Sequence, residues 1–164
     1  MDAVTVRPSR ATDREDLKQA LIELQDVERA LDDTRLPGHP IAAPYLAWME
    51  RSAAEQAGAI FVGEVAGAFA GFVACWVTRE DNLAETSDSN TYGYLADLCV
   101  VSRFRGRGVA GRLLAAAERH LAAQGVSRLR TGVLTANTAA LAAYRKHGFG
   151  PYETILEKRI ALRP

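Results

Sequence analysis

Between Val100 and Leu114 the chain reads Val-Val-Ser-Arg-Phe-Arg-Gly-Arg-Gly-Val-Ala-Gly-Arg-Leu-Leu: an apolar strand end meets a glycine-rich turn that opens into an apolar-faced helix. Glycines at such a turn let backbone N–H groups come close to a ligand, and a helix N-terminus adds roughly half a unit of positive charge. The combination is an anion site. A second chemical pair lies downstream, where Asn137 fits a helix N-cap and Tyr144 follows seven residues later. Seven helical residues advance about 10.5 Å along one face, so both side chains can border the same ligand. A capping asparagine and a packed tyrosine would leave the same trace.

Glycine-rich anion loops come in several kinds. No Gly-Lys-Ser/Thr follows, as a nucleotide-triphosphate loop requires, and no acidic residue stands about 20 positions on at the end of a second parallel strand, as a dinucleotide fold requires. The arginines at 103, 105, 107 and 112 could form a nucleic-acid patch, but only Phe104 supplies an aromatic between them and no nucleic-acid module fits around it.

The elements that position these residues follow from local pattern. Ala3 to Arg7 alternates as a short strand, and Thr12-Asp13-Arg14-Glu15 has the form of a capping box starting a helix. Leu17, Leu21, Leu24, Val27 and Leu31 repeat at helical spacing, with acidic residues on the other faces. Leu36 to Pro40 predicts a loop, and a second helix is expected from about Pro44 to Gln56. Ala59 to Val65 and Ala68 to Thr78 read as a hairpin turning at Ala66-Gly67, residues 79 to 91 as a loop, and Tyr92 to Val101 as the strand before the glycine turn. Helix 106–124, strand 128–134, helix 137–147 and a last strand Tyr152 to Leu162 complete the order β-α-α-β-β-β-α-β-α-β.

A chain of 164 residues, 48% apolar and 24% charged, suits one globular domain without disulfides or structural metal. Its apolar stretches are too short to span a bilayer, and MDAVTVRPSR has neither the basic start nor the apolar run of a secretory signal, so a cytoplasmic location is expected. Cys75 and Cys99 lack metal-site spacing and read as free buried thiols, and no metal is expected. Residues 1–82 carry 8 Lys and Arg against 14 Asp and Glu, a net of −6, whereas residues 83–164 carry 12 against 6, a net of +6. The division suggests a basic half holding an anionic cofactor and an acidic half receiving a cationic substrate.

Arg105-x-x-Gly108-x-Ala110 after a strand resembles the R/Q-x-x-G-x-G/A signature of the GNAT superfamily of acetyltransferases, and Asn137 to Phe149 is similar to that family's N-x-x-A-x-x-x-Y-x-x-x-G-F pattern. The order of elements over nearly the whole chain agrees with the same family. The resemblance implies an α+β, three-layer α-β-α fold around a mixed, mostly antiparallel sheet, with acetyl-CoA as cosubstrate. By position, Arg105, Gly106, Arg107, Gly108, Val109, Ala110 and Gly111 would surround the pyrophosphate. Leu98, Cys99 and Val100 would hold pantetheine and polarise the acetyl carbonyl through backbone groups, with Asn137 and Tyr144 also on the cofactor. Tyr144 inherits the role of general acid to the departing thiolate, a reasonable transfer between a phenol near 10 and a thiol near 8.5.

The acceptor implied is a primary amine, small molecule or peptide, and a small cation is favoured by the acidic half. Its ammonium must lose a proton before attack, at a cost of roughly 4 kcal/mol at pH 7. Candidate bases are Asp97, Glu64, Glu80 and Asp81, with Glu28 on the acidic helix next. In Tyr94-Leu95-Ala96-Asp97-Leu98 the family's amine-facing acidic position falls on Ala96, and period-two alternation predicts Asp97 on the opposite face. Direct transfer in a ternary complex is expected, with Cys99 near the cofactor strand leaving an acyl-enzyme route open; a non-catalytic acyl-CoA-binding module is the alternative. No nucleic-acid or membrane partner is indicated, and a homodimer is possible. His39, His120 and His147 have no spacing that suggests chemistry.

Overall fold

A computed structural model describes residues 3–161. Alternating β-formers build β1 (Val4–Pro8), and the hairpin β2 (Ala59–Val65) and β3 (Ala68–Arg79) turns at Ala66 and Gly67, with φ of 50° and 77°. Positive φ at both central residues matches the twist of the flanking strands. With β4 (Thr91–Val100) and β5 (Leu129–Thr131) these strands form one sheet in the order β1-β2-β3-β4-β5, antiparallel except for the β4–β5 pair. The sheet is mixed and mostly antiparallel, as expected.

β3 is the axis of the core, for every residue from Ala70 to Val77 is buried. One face of the sheet, through Val62, Phe72, Ala74, Trp76 and Cys99, packs against α1 (Arg14–Leu31) and α2 (Gly38–Glu55). The other face, through Val73, Cys75, Val77 and Leu95, packs against α4 (Val109–Ala123), with Tyr144 of α5 (Thr138–Lys146) at its margin. Helices on both faces give the three layers. A short α3 (Ser87–Asn90) interrupts the loop expected between β3 and β4.

Four local expectations are corrected. The cap before α1 is not Thr12 with Glu15: Asp13 Oδ2 accepts from the Arg10 N–H at 2.6 Å, and Glu15 pairs instead with Lys18. Second, α2 begins at Gly38, not near Pro44, because Pro40 falls in the first turn, where helix N–H groups have no intrahelical acceptor to lose. Gly38 N–H is answered from α1 by Asp26 Oδ1 at 2.8 Å. Third, the strand expected at 128–134 forms only from Leu129 to Thr131.

The last correction is the final strand: residues 151–161 take no β pairing, and Leu162 lies outside the described residues. Ile155, Leu156 and Ile160 are 90%, 89% and 81% exposed. Adjacent Ile155 and Leu156 point to opposite sides of an extended chain, and Glu157-Lys158-Arg159 follows, so the segment has no single apolar face to bury. It is held by Tyr152, whose ring lies 4.1 Å from the Arg130 guanidinium, and by the ion pair of Arg159 with Asp33 at 2.6 Å. Among the described residues no helix is long and apolar enough to cross a membrane.

Candidate active site

β4 ends where Val101 N–H bonds to Ala70 O at 3.0 Å, and a 3-10 turn over Ser102–Phe104 leads into the glycine loop. Gly106 and Gly108 have φ of 76° and 80°, a region side chains resist, and a Cβ on either would meet nothing within 4 Å. The loop therefore stands open at the N-terminus of α4, whose first N–H groups have no intrahelical acceptor. Val109, fully buried, pins the helix start into the core beneath Gly63. Gly111 has a different surrounding: a Cβ there would come within 2.7 Å of the His147 ring, so its smallness lets α4 and the end of α5 meet.

The loop is fastened to α1 by Glu23. Its Oε1 accepts from Arg105 Nη2 at 2.8 Å, from Ser102 N–H at 3.1 Å and from the Ser102 hydroxyl, while Arg105 Nε donates to Val100 O at 3.0 Å. Arg105 thus braces the loop. Arg103, Arg107 and Arg112 are exposed and make no ion pair among the described residues, leaving positive charge around the helix start. Nothing in the sequence marked Glu23 out from the other carboxylates of α1.

β4 itself carries the decisive irregularity. Asp97 pairs with Ala74 and Leu95 with Cys75, so Ala96 is an extra residue bulged out of register. Leu95 and Leu98 consequently both face the α4 side, while Tyr94, Ala96 and Cys99 pack toward α1 and α2. Asp97 joins this second group: Tyr45 of α2 donates its hydroxyl to Asp97 Oδ2 at 2.9 Å. The expected opposition of Asp97 and Ala96 is therefore overturned, because the bulge cancels one step of the alternation. Strand pairing to β5 also stops at Leu95↔Thr131, and Ala96 to Val100 continue with no strand beside them on that edge. Their backbone groups, those of Leu98, Cys99 and Val100 included, border a gap between diverging parallel strands.

Burial pushes Asp97 up to about 6, with the nearby charge of Glu28 adding to the rise and the Tyr45 hydrogen bond opposing it. Tyr144 approaches from α5. Burial raises its phenol above the ordinary value, and the charges of Asp97 and Glu28 raise it further, so the hydroxyl stays protonated. The ring packs edge-on to Phe149, with centroids 5.2 Å apart. Asn137 caps α5 as expected, its Oδ1 accepting from Ala140 N–H at 3.0 Å.

Other candidates lie elsewhere. Glu64 is gripped by Arg7, at 2.6 Å and 3.0 Å, and Arg7 also holds Asp13; its partner on β3 is Phe69, five residues from the Ala74 that pairs with Asp97. Glu80 accepts from the Tyr92 hydroxyl at 2.7 Å, and Asp81 is exposed at the end of β3. Cys99 turns toward α1, with Sγ 3.4 Å from Ala20 O, and burial pushes its thiol up to about 12. Buried Cys75 is pushed up to about 11. Neither thiol is primed as a nucleophile. Among the described residues no three His, Cys, Asp or Glu side chains are grouped to hold a metal ion.

The acidity of the N-terminal half is also answered within the fold. Glu28 pairs with Arg35 at 3.1 Å, Asp33 with Arg159, Glu50 with Arg14 and Glu23 with Arg105. Arg105 and Arg159 come from the basic half, so two of these carboxylates are paired by charges that the net of the acidic half does not include. Sequence reasoning missed Tyr45, which it set at the start of a helix that begins a full turn earlier. One signal was present: large apolar Leu95 and Leu98, three apart on a strand, already break a period of two.

Comparison with known proteins agrees with this fold. The chain superposes on the aminoglycoside N-acetyltransferase AAC(6')-Iy in complex with CoA with a TM-score of 0.73 at 23% identity, covering 99% of this chain and 97% of that one. A GCN5-related N-acetyltransferase from Ralstonia eutropha JMP134 gives 0.74 at 21% identity, covering 96% and 99%. In sequence, 66 residues are 38% identical to GCN5-related N-acetyltransferase 6, chloroplastic, of Arabidopsis thaliana; they make up 40% of this chain and only 23% of that protein. A family model described as "Acetyltransferase (GNAT) family" matches residues 24–149, which takes in the last part of α1, the glycine loop and α5 through Phe149. The chain belongs to the GNAT family of acetyltransferases.

Proposed function

We propose that this protein transfers an acetyl group from acetyl-CoA directly to a primary amine, with Asp97 as the base and Tyr144 as the acid. What supports the reading is that Asp97 lies on β4 just past its last pair with β5 while Tyr144 packs from α5 at the sheet's margin: one is a carboxylate raised to about 6, the other a partly buried phenol raised first by burial and further by that carboxylate's charge. The residues present fit the cosubstrate. Open backbone at Gly106 and Gly108, the α4 N-terminus and exposed arginines suit a pyrophosphate, and the unpaired edge of β4 suits the amides of pantetheine.

Acetyl-CoA, when bound, supplies the acetyl thioester. Asp97 takes a proton from the acceptor ammonium, for which a carboxylate near 6 is a stronger base than an ordinary one yet still ionised at neutral pH. Backbone N–H groups on the free edge of β4 stabilise negative charge on the carbonyl oxygen as the C–N bond forms. The nitrogen sheds its second proton to solvent as the tetrahedral centre collapses, Tyr144 gives its proton to the sulfur as the C–S bond breaks, and the phenol is restored from solvent. No step needs a cysteine, in keeping with the raised thiol of Cys99. The bulge also weakens the case for a purely cofactor-sensing module, since it returns an acidic side chain to the face where Ala96 alone seemed to stand.

Calorimetric titration with acetyl-CoA, followed by thiol release in the presence of amines, tests the reading. Saturable binding and amine-dependent thiol release, with release lost in Tyr144→Phe, is the expected result. Binding without release for any amine, unchanged by Tyr144→Phe, would establish the sensor instead.

A further inference from the structure

Beside Asp97 the α1–α2 face of the sheet carries a continuous run of aromatic rings. Tyr45 lies 5.2 Å from Trp48, Trp48 meets Trp76 edge-on at 5.4 Å, and Trp76 lies 6.1 Å from Tyr94. The run is not simply core. Trp76 is buried, but Trp48 is 40% exposed, and its edge-on contact with Trp76 does not cover it. Tyr45 joins the two chemistries, since its hydroxyl is on Asp97 and its ring is against Trp48. One carboxylate therefore lies a single tyrosine's length from an open indole.

The charges around this run are as telling as the rings. Glu28 is the other carboxylate whose field reaches Asp97, and Arg35 already holds it; Asp26, on the same helix, accepts from Gly38 N–H. Among the described residues Asp97 has only a neutral phenol as partner. The wall thus offers one uncompensated negative charge and a broad aromatic surface. An ammonium beyond the first would lose water without gaining a free carboxylate, although an aromatic face returns part of that loss. A flat apolar body would gain both burial and ring contact.

We propose that the acceptor is a primary amine with a single positive charge on an aromatic or flat apolar body, its ammonium at Asp97 and its body against Tyr45 and Trp48. This substrate class rests on the acetyl-transfer reading above and narrows the small cation suggested by net charge. Trp48 is here a specificity residue, distant from the reacting atoms.

The test measures kcat/KM for thiol release from acetyl-CoA with 2-phenylethylamine, n-butylamine and spermidine, using the unmodified protein, Trp48→Ala and Trp48→Phe. The aromatic amine is expected to exceed spermidine by about tenfold or more, a discrimination of the size that pocket contacts deliver. Trp48→Ala should lower the ratio of phenylethylamine to butylamine efficiency by about tenfold, and Trp48→Phe, which keeps a ring, should retain most of it. Thermal melts of both variants separate loss of selectivity from loss of fold, and the ratio is read from whichever remains folded. Preference for spermidine, or a ratio unmoved in both variants, overturns the inference and leaves acetyl transfer standing. Thiol release with none of the amines, acetyl-CoA still binding, overturns both.

Discussion

Tyr45 and Asp97, 52 residues apart in the chain, meet at 2.9 Å and tie α2 to the strand that borders the gap beside β5. The phenol gives Asp97 its one side-chain hydrogen bond and holds its titration lower than burial and Glu28 would leave it. Removing that hydroxyl should free the carboxyl to titrate higher. In Tyr45→Phe the acidic limb of the kcat/KM profile, expected near 6 in the unmodified protein, should move to higher pH, at a stability cost of about 1 kcal/mol. Glu28, Tyr94 and Tyr144 also face this region, so the limb is assigned to Asp97 only if it disappears in Asp97→Asn. A pH–rate series on the three proteins checks it.

Asp97 should also cost the fold stability at neutral pH. A carboxyl whose folded value, about 6, exceeds the reference 3.8 favours the fold in its protonated form. That contribution is whole below pH 3.8 and is lost as pH rises through 6, with an upper bound of about 3 kcal/mol. Asp97→Asn keeps an acceptor for Tyr45 but sheds the charge. Its melting temperature should exceed that of the unmodified protein at pH 8, with the difference narrowing toward pH 5, while acetyl transfer falls.

Tyr144→Phe deletes only a hydroxyl from a ring packed on Phe149. The expected outcome is a fall in kcat of about 10²- to 10⁴-fold, the usual range for a lost general acid, with acetyl-CoA affinity and melting temperature little changed. Steady-state rates beside calorimetry decide it. Parallel losses in rate and affinity would mean that the tyrosine serves the cofactor's position, not its proton.

At Gly108 two substitutions should behave differently. Open space surrounds its Cβ position, so Gly108→Ala pays only for a φ of 80°, about 1 kcal/mol of stability. Gly108→Asp carries the same strain and sets a negative charge at the anion site; its acetyl-CoA binding should be lost while thermal melting matches Gly108→Ala to within a few degrees.

Glu23→Gln should reveal what the brace on the loop is worth. The amide still accepts one hydrogen bond but releases the Arg105 ion pair, more than half of whose arginine side chain is exposed. Stability should change by less than about 1 kcal/mol. Affinity for acetyl-CoA, read by calorimetry, should change by several-fold, because three donors on the loop lose a common anchor.

Elements built on unbroken periodicity were legible in the sequence: β2 from Ala59 to Val65 and the helix around Leu113 and Leu121 stand where their patterns put them. The glycine loop was equally plain, because positive φ leaves a compositional mark at Gly106 and Gly108. Features set by long-range geometry were not. A bulge needs a partner strand to define it, so Ala96 looked like one more step of alternation, and the face of Asp97 was misjudged. Tyr152 to Leu162 has strand-like composition, but its described residues, 152–161, take no β pairing, and composition cannot supply a neighbouring strand. The charge division between the halves is likewise only part of the picture, since a net charge by segment says nothing of Arg105 and Arg159, which fold back onto Glu23 and Asp33 from the basic half.

The extra residue at position 96 bends the strand without carrying the pairs on either side of it out of register. Any side chain small enough to lie among the α1–α2 packing can replace the alanine. Deleting the residue would restore plain alternation with Leu95, Asp97 and Leu98 on their present faces, and what would vanish is the local bend and added twist of a bulged strand. A single-residue deletion between Asp97 and Val100 would instead carry the residues after it to the opposite face, so the length of β4 is constrained there more tightly than at position 96.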